Sequence, residues 1–555
     1  MKKIPLLISL TLAAASAQMT PDQKLADFRE LAAVYNKYYA PYEWKKALFG
    51  FDLLNIAPWV DRVAKSKTDL DFYEICSEYV SGLQDTHVNF TVPSSFSASL
   101  GFTVDIYDSK VLVDGITRSR LPVARYPFEI GDEVVSVDGQ DVENLIAQFS
   151  KYLMQSNPRS TRRQAASRIV TRAQSRIPKA VEVGDSASVV IRRATGTLET
   201  YTIPWVKSGI PVEVGPVPMP HSKGSSHGVR AAAEDDPVPD YMQPLLELQN
   251  SSVSDTDGVL NYGTRNPLFA LPSDFVLRQG KASADFFYSG TFQSGGFHIG
   301  YIRIPNYGPP NTTTALQAFE TEIAYFEENT DGLIVDEMRN TGGNLCFGEN
   351  IVARLVPYTF QVTAFQMRAF WGRVQSFYNS LSSARAQGAD QWIIDTYQGI
   401  FDGLYQAYTE NRGLTGPLPL CSYSLQKLPA GVVYTKPVMM IIDEFSTSTA
   451  DSVPAMFQSA GRGPLFGMRS NGAGGNNTSF SSGVYSESTA GVTIAMQVRR
   501  SPITTADYPT TDIIESVGVR PDIEVDYMTR ENLLQNGRPF VNAFTAAMVD
   551  LIRKE

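Results

Sequence analysis

The sequence predicts an α/β fold laid out in sections, with helices first, strands and turns next, and then a core of strand-turn-helix units on a parallel sheet. Two segments carry the core. Gly332-Leu-Ile-Val-Asp336 and Val438-Met-Met-Ile-Ile442 are short, partly β-branched apolar runs. Each leads at once into a turn rich in Gly or Ser, and then into apolar residues at helical spacing: Ile351, Val352 and Leu355 after the first, Val453, Met456 and Phe457 after the second. The length of 555 residues exceeds what a single hydrophobic core accommodates, so several sections are expected.

Taken in order, Met1-Lys2-Lys3, an apolar stretch from Ile4 to Ala14 and Ala15-Ser16-Ala17 before Gln18 read as a signal peptide over 1–17, which implies a secreted or periplasmic mature chain. That stretch is too short to span a bilayer, and no later one is long enough. Removing it with Lys2 and Lys3 takes the formal charge from −10 to about −12, which argues against nucleic-acid binding. Cys76, Cys346 and Cys421 are odd in number and far apart, so at most one disulfide forms, and neither a metal nor a cofactor site is readable. Residues 18–95 read as an N-terminal helical domain that ends in His87. Thr20, Pro21 and Gln23 begin it with a capping box, and Phe72, Cys76, Tyr79 and Leu83 line one face of its last helix.

Residues 96–206 hold Gly101-Phe-Thr-Val-Asp105, Lys110-Val-Leu-Val-Asp114, Ile130-Gly-Asp132-Glu-Val-Val-Ser-Val137-Asp-Gly139 and Ala187-Ser-Val-Val-Ile-Arg192. These strands resemble a PDZ domain, with an arginine-rich helical insertion from about Ser156 to Arg176. A PDZ domain adds peptide ends as an extra strand, and a degenerate packing module is the alternative. Residues 207–290 shift toward Gly, Pro, Ser and charge and read as a flexible linker or inhibitory segment. Residues 291–555 make the core. Its helical excursion, from about Gln375 to Tyr408, is aromatic and either walls the cleft or packs a homodimer.

Ser448 falls between the end of the strand and the start of the helix in Ser446-Thr-Ser448-Thr-Ala-Asp451, where a sharp reversal exposes a hydroxyl and free amides face it. On this segment alone a nucleophile and a simple N-cap are equal readings for Ser446, Ser448 or Thr449. The second turn, Arg339-Asn-Thr-Gly342-Gly343, opens at the same carboxyl edge of the sheet, where ligands bind in open α/β sheets.

Together with Asn471-Gly-Ala473-Gly-Gly475 and Ile514-Glu515-Ser-Val-Gly518-Val-Arg-Pro521-Asp522, these turns resemble the core of the tail-specific, carboxy-terminal-processing serine peptidases of family S41. The resemblance implies a ClpP/crotonase-like S41 protease core with an N-terminal helical domain and a PDZ-like β domain. It also implies a serine peptidase acting on protein or peptide substrates. Most of the family places a lysine base in the loop where this chain has Ala473, and no lysine occurs between Lys436 and Lys554. A histidine base is therefore expected.

His221 and His227 lie in the linker, and His298 begins a strand. The turn Asp85-Thr86-His87 resembles that of the histidine-using branch, which includes tricorn-type proteases and the chlamydial protease-like activity factor. Similarity to the latter extends through Tyr39-Ala-Pro41, Trp44-Lys45 and Gly50-Phe-Asp52. The branch implies a Ser448–His87–Glu515 triad, with an oxyanion met by the backbone amides of Thr449 and of Gly342 or Gly343. Each residue has a structural alternative: a helix C-terminal histidine for His87, a surface carboxylate for Glu515 and a tight turn for the glycines. At the level of function, the alternatives are a non-catalytic binding protein on this fold, or an esterase or peptide cyclase using the same triad.

Overall fold

The computed structural model describes residues 18–212, 238–252 and 260–554. The leader, His221 and His227 lie outside the described residues. Four helices, Pro21–Tyr38, Tyr42–Phe49, Ala57–Ala64 and Asp69–Ser81, form the N-terminal part. The first begins at the capping box of Thr20 and Gln23. Phe28, Leu31, Tyr35, Phe72, Tyr79 and Leu83 share one buried cluster with the helical pair Trp371–Ala386 and Gln391–Thr409. The inward residues of the aromatic excursion, Phe377, Tyr397 and Leu404, pack against the N-terminal helices, while Tyr378, Trp392, Tyr405 and Tyr408 are exposed.

The core is a seven-stranded sheet in the order Val276–Gln279, Tyr288–Ser294, Phe297–Arg303, Gly332–Asp336, Val438–Ile442, Leu465–Gly467, Ile523–Glu524. The first two pairings are antiparallel and the other four parallel. Register is fixed at the centre, where Leu333 sits opposite Val438 and Asp336 opposite Ile441, so the two turns emerge side by side. Both central strands are buried at every residue, which is why they read as continuous apolar runs. A second sheet is built on the long strand Thr489–Ile503, which pairs with Asn89–Thr91, Ala364–Met367, Gly475–Ser481 and Thr511–Ile513. It draws the chain after His87 and the chain before Glu515 onto one platform.

The middle section forms a six-stranded sheet with its own core, and its insertion is the helix Pro158–Ser167. Arg163 on that helix is 1% exposed. It donates to both Asp105 oxygens at 2.9 and 2.5 Å and to Glu444 Oε1 at 2.7 Å, just before the Ser448 turn. Burial alone would raise the Glu444 carboxyl, but Arg163 and Arg159 hold it down at about 2. Within 207–290 the described residues are not a featureless linker. The helix Gln243–Gln249 buries Leu245 and Leu248, and the strand Asn250–Ser252 pairs antiparallel with Gly342–Asn344. The run was unreadable because only two apolar residues on that helix carry the packing. No helix among the described residues is long and apolar enough to cross a membrane.

Arg163→Ala is expected to destabilise the fold by roughly 3–5 kcal/mol, because it leaves Asp105 and Glu444 buried without their partner. Urea unfolding followed by tryptophan fluorescence measures this, and a change below about 1 kcal/mol would contradict the role given to the pair.

Candidate active site

Three Asx turns shape the site, each a carboxylate or amide oxygen accepting from the backbone N–H two residues on. Asp85 Oδ1 accepts from His87 N at 2.9 Å, Asn340 Oδ1 from Gly342 N at 2.9 Å and Asp443 Oδ1 from Phe445 N at 3.1 Å. Arg339 N also donates to Asp443 Oδ1, and Thr447 N to the Asn340 carbonyl, so the glycine turn and the nucleophile turn are stitched together. Four non-glycine residues with positive φ flank the candidate side chains: Gln84 at 49°, Arg339 at 53°, Ser448 at 63° and Ser516 at 67°. Such conformations cost on the order of 1–3 kcal/mol each and persist where surrounding contacts impose them.

Ser448 stands at the N-cap position of the helix Thr449–Ser459 with ψ −115°. Its N–H donates to Asp451 Oδ2 at 2.9 Å. The same buried carboxylate accepts from Ser470 Oγ and from the amides of Gly472 and Ala473 at 2.8 and 3.0 Å, tying the nucleophile turn to the loop 471–475. Burial pushes the Asp451 carboxyl up to about 6, and these donors oppose the rise. Ser448 and Asp451 form a capping box at this helix start, and the Ser448 hydroxyl proton goes elsewhere. The hydroxyl donates to the Ser251 carbonyl at 3.0 Å.

A Cβ on Gly342 would lie 2.6 Å from Ser448 Cβ, and one on Gly343 2.3 Å from the Tyr307 carbonyl carbon, so both positions need glycine. The Gly342 amide is already given to Asn340 Oδ1. Thr449 Oγ1 donates to the Gly343 carbonyl at 3.0 Å.

His87 is 1% exposed, and neither ring nitrogen has a hydrogen-bond partner among the described residues. Burial holds its pKa down at about 4; Asp85 opposes the shift, and the Lys45 ammonium adds to it. Asp85, His87 and Glu515 bring carboxylate and imidazole atoms within 4.8 Å of one another. Both Asp85 oxygens are in use, since Oδ2 also accepts from Tyr39 and Thr493. Glu515 is also fully buried. Its Oε1 meets Lys45 Nζ at 2.5 Å and Ser156 Oγ at 2.9 Å, whereas Oε2 has no partner. Burial and then Asp85 push the Glu515 carboxyl up to about 8, opposed by Lys45 and Ser156. Lys45 Nζ also donates to the Gln84 carbonyl and to Ser516 Oγ, and Trp44 Nε1 donates to the Glu515 carbonyl.

Residues 298–525 match the model of peptidase family S41, and residues 96–211 match a PDZ domain. The chain thus carries a segment that matches peptidase family S41 and another that matches a PDZ domain. Among relatives, a Chlamydia pneumoniae protein is 24% identical, over 96% of this chain and 90% of its own length. An uncharacterised Chlamydia muridarum protein is 23% identical, over 96% and 93%. Among solved structures, mature CPAF superposes with a TM-score of 0.73 at 19% identity, covering 96% of this chain and 98% of that one. CPAF complexed with lactacystin gives 0.72 at 20% identity, covering 96% and 99%.

The sequence named Ser448, His87, Glu515, Thr449 and the glycine pair, and the fold packs the Ser448–Thr449 turn against the Gly342–Gly343 turn and brings His87 to Glu515. Sequence reasoning gave Lys45 and Asp451 no part in the site, although Ser448-x-x-Asp451 is a capping-box spacing. It also missed Ser251 and Asn477. Asn477 Nδ2 donates to the His87 carbonyl at 3.0 Å, and Ser251 Oγ donates to Asn477 Oδ1 at 2.9 Å. His298 lies at the entry of its strand with Nδ1 on the Asn329 carbonyl, a strand's length from these turns.

A buried neutral His87, with its folded pKa near 4 against an ordinary 6.5, favours the folded state fully above pH 6.5 and loses that contribution as the pH falls toward 4. The stability difference between wild type and His87→Asn should therefore shrink by about 3 kcal/mol across that window. Denaturant titrations of both proteins at pH 7 and pH 4 measure it, and a difference independent of pH would refute a buried neutral imidazole.

Proposed function

We propose that the chain is a serine endopeptidase working through an acyl-enzyme, with Ser448 as nucleophile, His87 as base and then acid, and Glu515 as the carboxylate that orients the imidazole. The observation that carries this reading is His87. It is a buried imidazole with both nitrogens unclaimed and an unclaimed carboxylate oxygen beside it, joined to the nucleophile turn through Asn477 and Ser251. An enzyme keeps such polar atoms unsatisfied at a cost, and catalysis is the reason to do so.

In the reaction Ser448 Oγ bonds to the substrate carbonyl carbon while its proton passes to His87, and the oxyanion takes hydrogen bonds from the amides of Thr449 and Gly343. The C–N bond then breaks, with His87 returning the proton to the leaving amine. Water repeats the sequence on the ester, giving up its proton through His87 and releasing Ser448. Glu515 Oε2, which accepts no hydrogen bond among the described residues, is open to accept from the imidazole, whereas both Asp85 oxygens already accept from other donors.

The same contacts make the intact chain a restrained form. The Ser448 proton is directed to the Ser251 carbonyl, so attack requires the strand Asn250–Ser252 to leave. Removing the strand by cleavage within 207–290 would release the enzyme. The reading extends to a secreted or periplasmic mature chain beginning at Gln18, which the disulfide Cys346–Cys421 supports because such bonds persist in oxidising compartments.

A fluorophosphonate probe is expected to label Ser448, slowly in the intact chain and faster after limited proteolysis within 207–290, as read by peptide mapping. Labelling at another serine would overturn the assignment. Ser448→Ala and His87→Ala should each lower kcat by about 10⁴-fold or more, and Glu515→Gln by less. Casein hydrolysis by the processed variants tests that order, and full activity in His87→Ala would remove the proposed base.

A further inference from the structure

We propose that Asn477 selects the side chain on the acyl side of the scissile bond, so that the enzyme prefers peptides carrying a hydroxyl residue there, serine first. The inference rests on Ser448 being the nucleophile and goes beyond it to the substrate class. Ser251 stands where that residue of a substrate would stand. It lies antiparallel opposite Gly343, and its carbonyl meets Ser448 Oγ at 3.0 Å. Its side chain, in a residue 7% exposed, gives its hydroxyl proton to Asn477 Oδ1 at 2.9 Å.

Asn477 cannot turn its amide round to suit another ligand. Its Nδ2 faces the His87 carbonyl, an obligate acceptor, at 3.0 Å, so Oδ1 must face the subsite. The subsite thus presents a fixed acceptor. A serine or threonine satisfies it, a carboxylate meets another oxygen, and an alkyl side chain leaves Oδ1 desolvated and unpaired. Asn344 acts similarly on the preceding residue, its Nδ2 donating to Asn250 Oδ1 at 3.0 Å. The strand register and the two asparagine contacts are separate observations, and together they describe recognition by side-chain amides of a polar Asn-Ser sequence. An unpaired buried acceptor lowers kcat/KM by roughly 10- to 100-fold, which sets the expected selectivity.

The test uses the processed enzyme and fluorogenic peptides that differ only in the acyl-side residue, Ser, Ala or Val, with Ser448 labelling by the fluorophosphonate run in parallel. Wild type is expected to favour Ser over Ala by roughly 10-fold or more in kcat/KM. Asn477→Ala should bring that ratio close to one. Asn477→Asp keeps the acceptor and loses the donor to His87, so it should retain the preference while turnover falls for every peptide. In the intact chain Ser251→Ala should speed labelling of Ser448 by loosening the strand, whereas Ser251→Thr should not. A labelled enzyme with equal rates on Ser and Ala peptides, or an unchanged ratio in Asn477→Ala, overturns the subsite alone. A wild type labelled elsewhere than Ser448 overturns the nucleophile and the subsite with it.

Discussion

The Lys45 ammonium ties three stretches of chain together at one buried point. It reaches the Gln84 carbonyl before the His87 turn, the Glu515 carboxylate and the Ser516 hydroxyl, all from a helix of the N-terminal part. A lysine 1% exposed is tolerable only because each of its donors finds an acceptor, and removing any one acceptor would leave a charge in an apolar surround. Tyr42 on that helix packs in turn against the aromatic cluster shared with Phe377 and Tyr397.

The PDZ section enters the same scheme through a different ion pair. Arg163 spans from Asp105 on a PDZ strand to Glu444, and Tyr527 carries the network to Asp443, whose other oxygen accepts from Arg339 beside the glycine turn. The geometry of both turns is thereby fixed from behind, by buried charges with defined partners rather than by the cleft itself. Such networks specify one arrangement because a half-made version is worse than none.

The sequence displayed those parts of the molecule whose causes are local. The two parallel strands, the glycine turn and the Ser448 turn could be read because each is an apolar run followed by residues that only a reversal explains. The Asp85-Thr86-His87 turn was visible for the same reason, and its Asx geometry gives the spacing a physical cause. The sheet built on Thr489–Ile503 was not readable, because its partners Asn89–Thr91 and Ala364–Met367 come from distant stretches with no shared pattern. Nor was the strand Asn250–Ser252, whose placement depends on pairing with Gly342–Asn344 and on side chains such as Asn476 and Asn477. Gly342 and Gly343 looked equivalent in sequence. Only the side chain of Asn340 distinguishes them, by taking up one of the two amides.

The position of Ser251 along the chain also governs the order in which the site is made. Synthesis from the N-terminus delivers His87 first, the covering strand next, Ser448 about two hundred residues later and Glu515 near the end. Domains fold in that order as they emerge. The hydroxyl of Ser448 therefore never exists in this chain before the strand that covers it, and Glu515 arrives only after both are in place. A ribosome making this protein therefore never carries Ser448 without the strand that covers it.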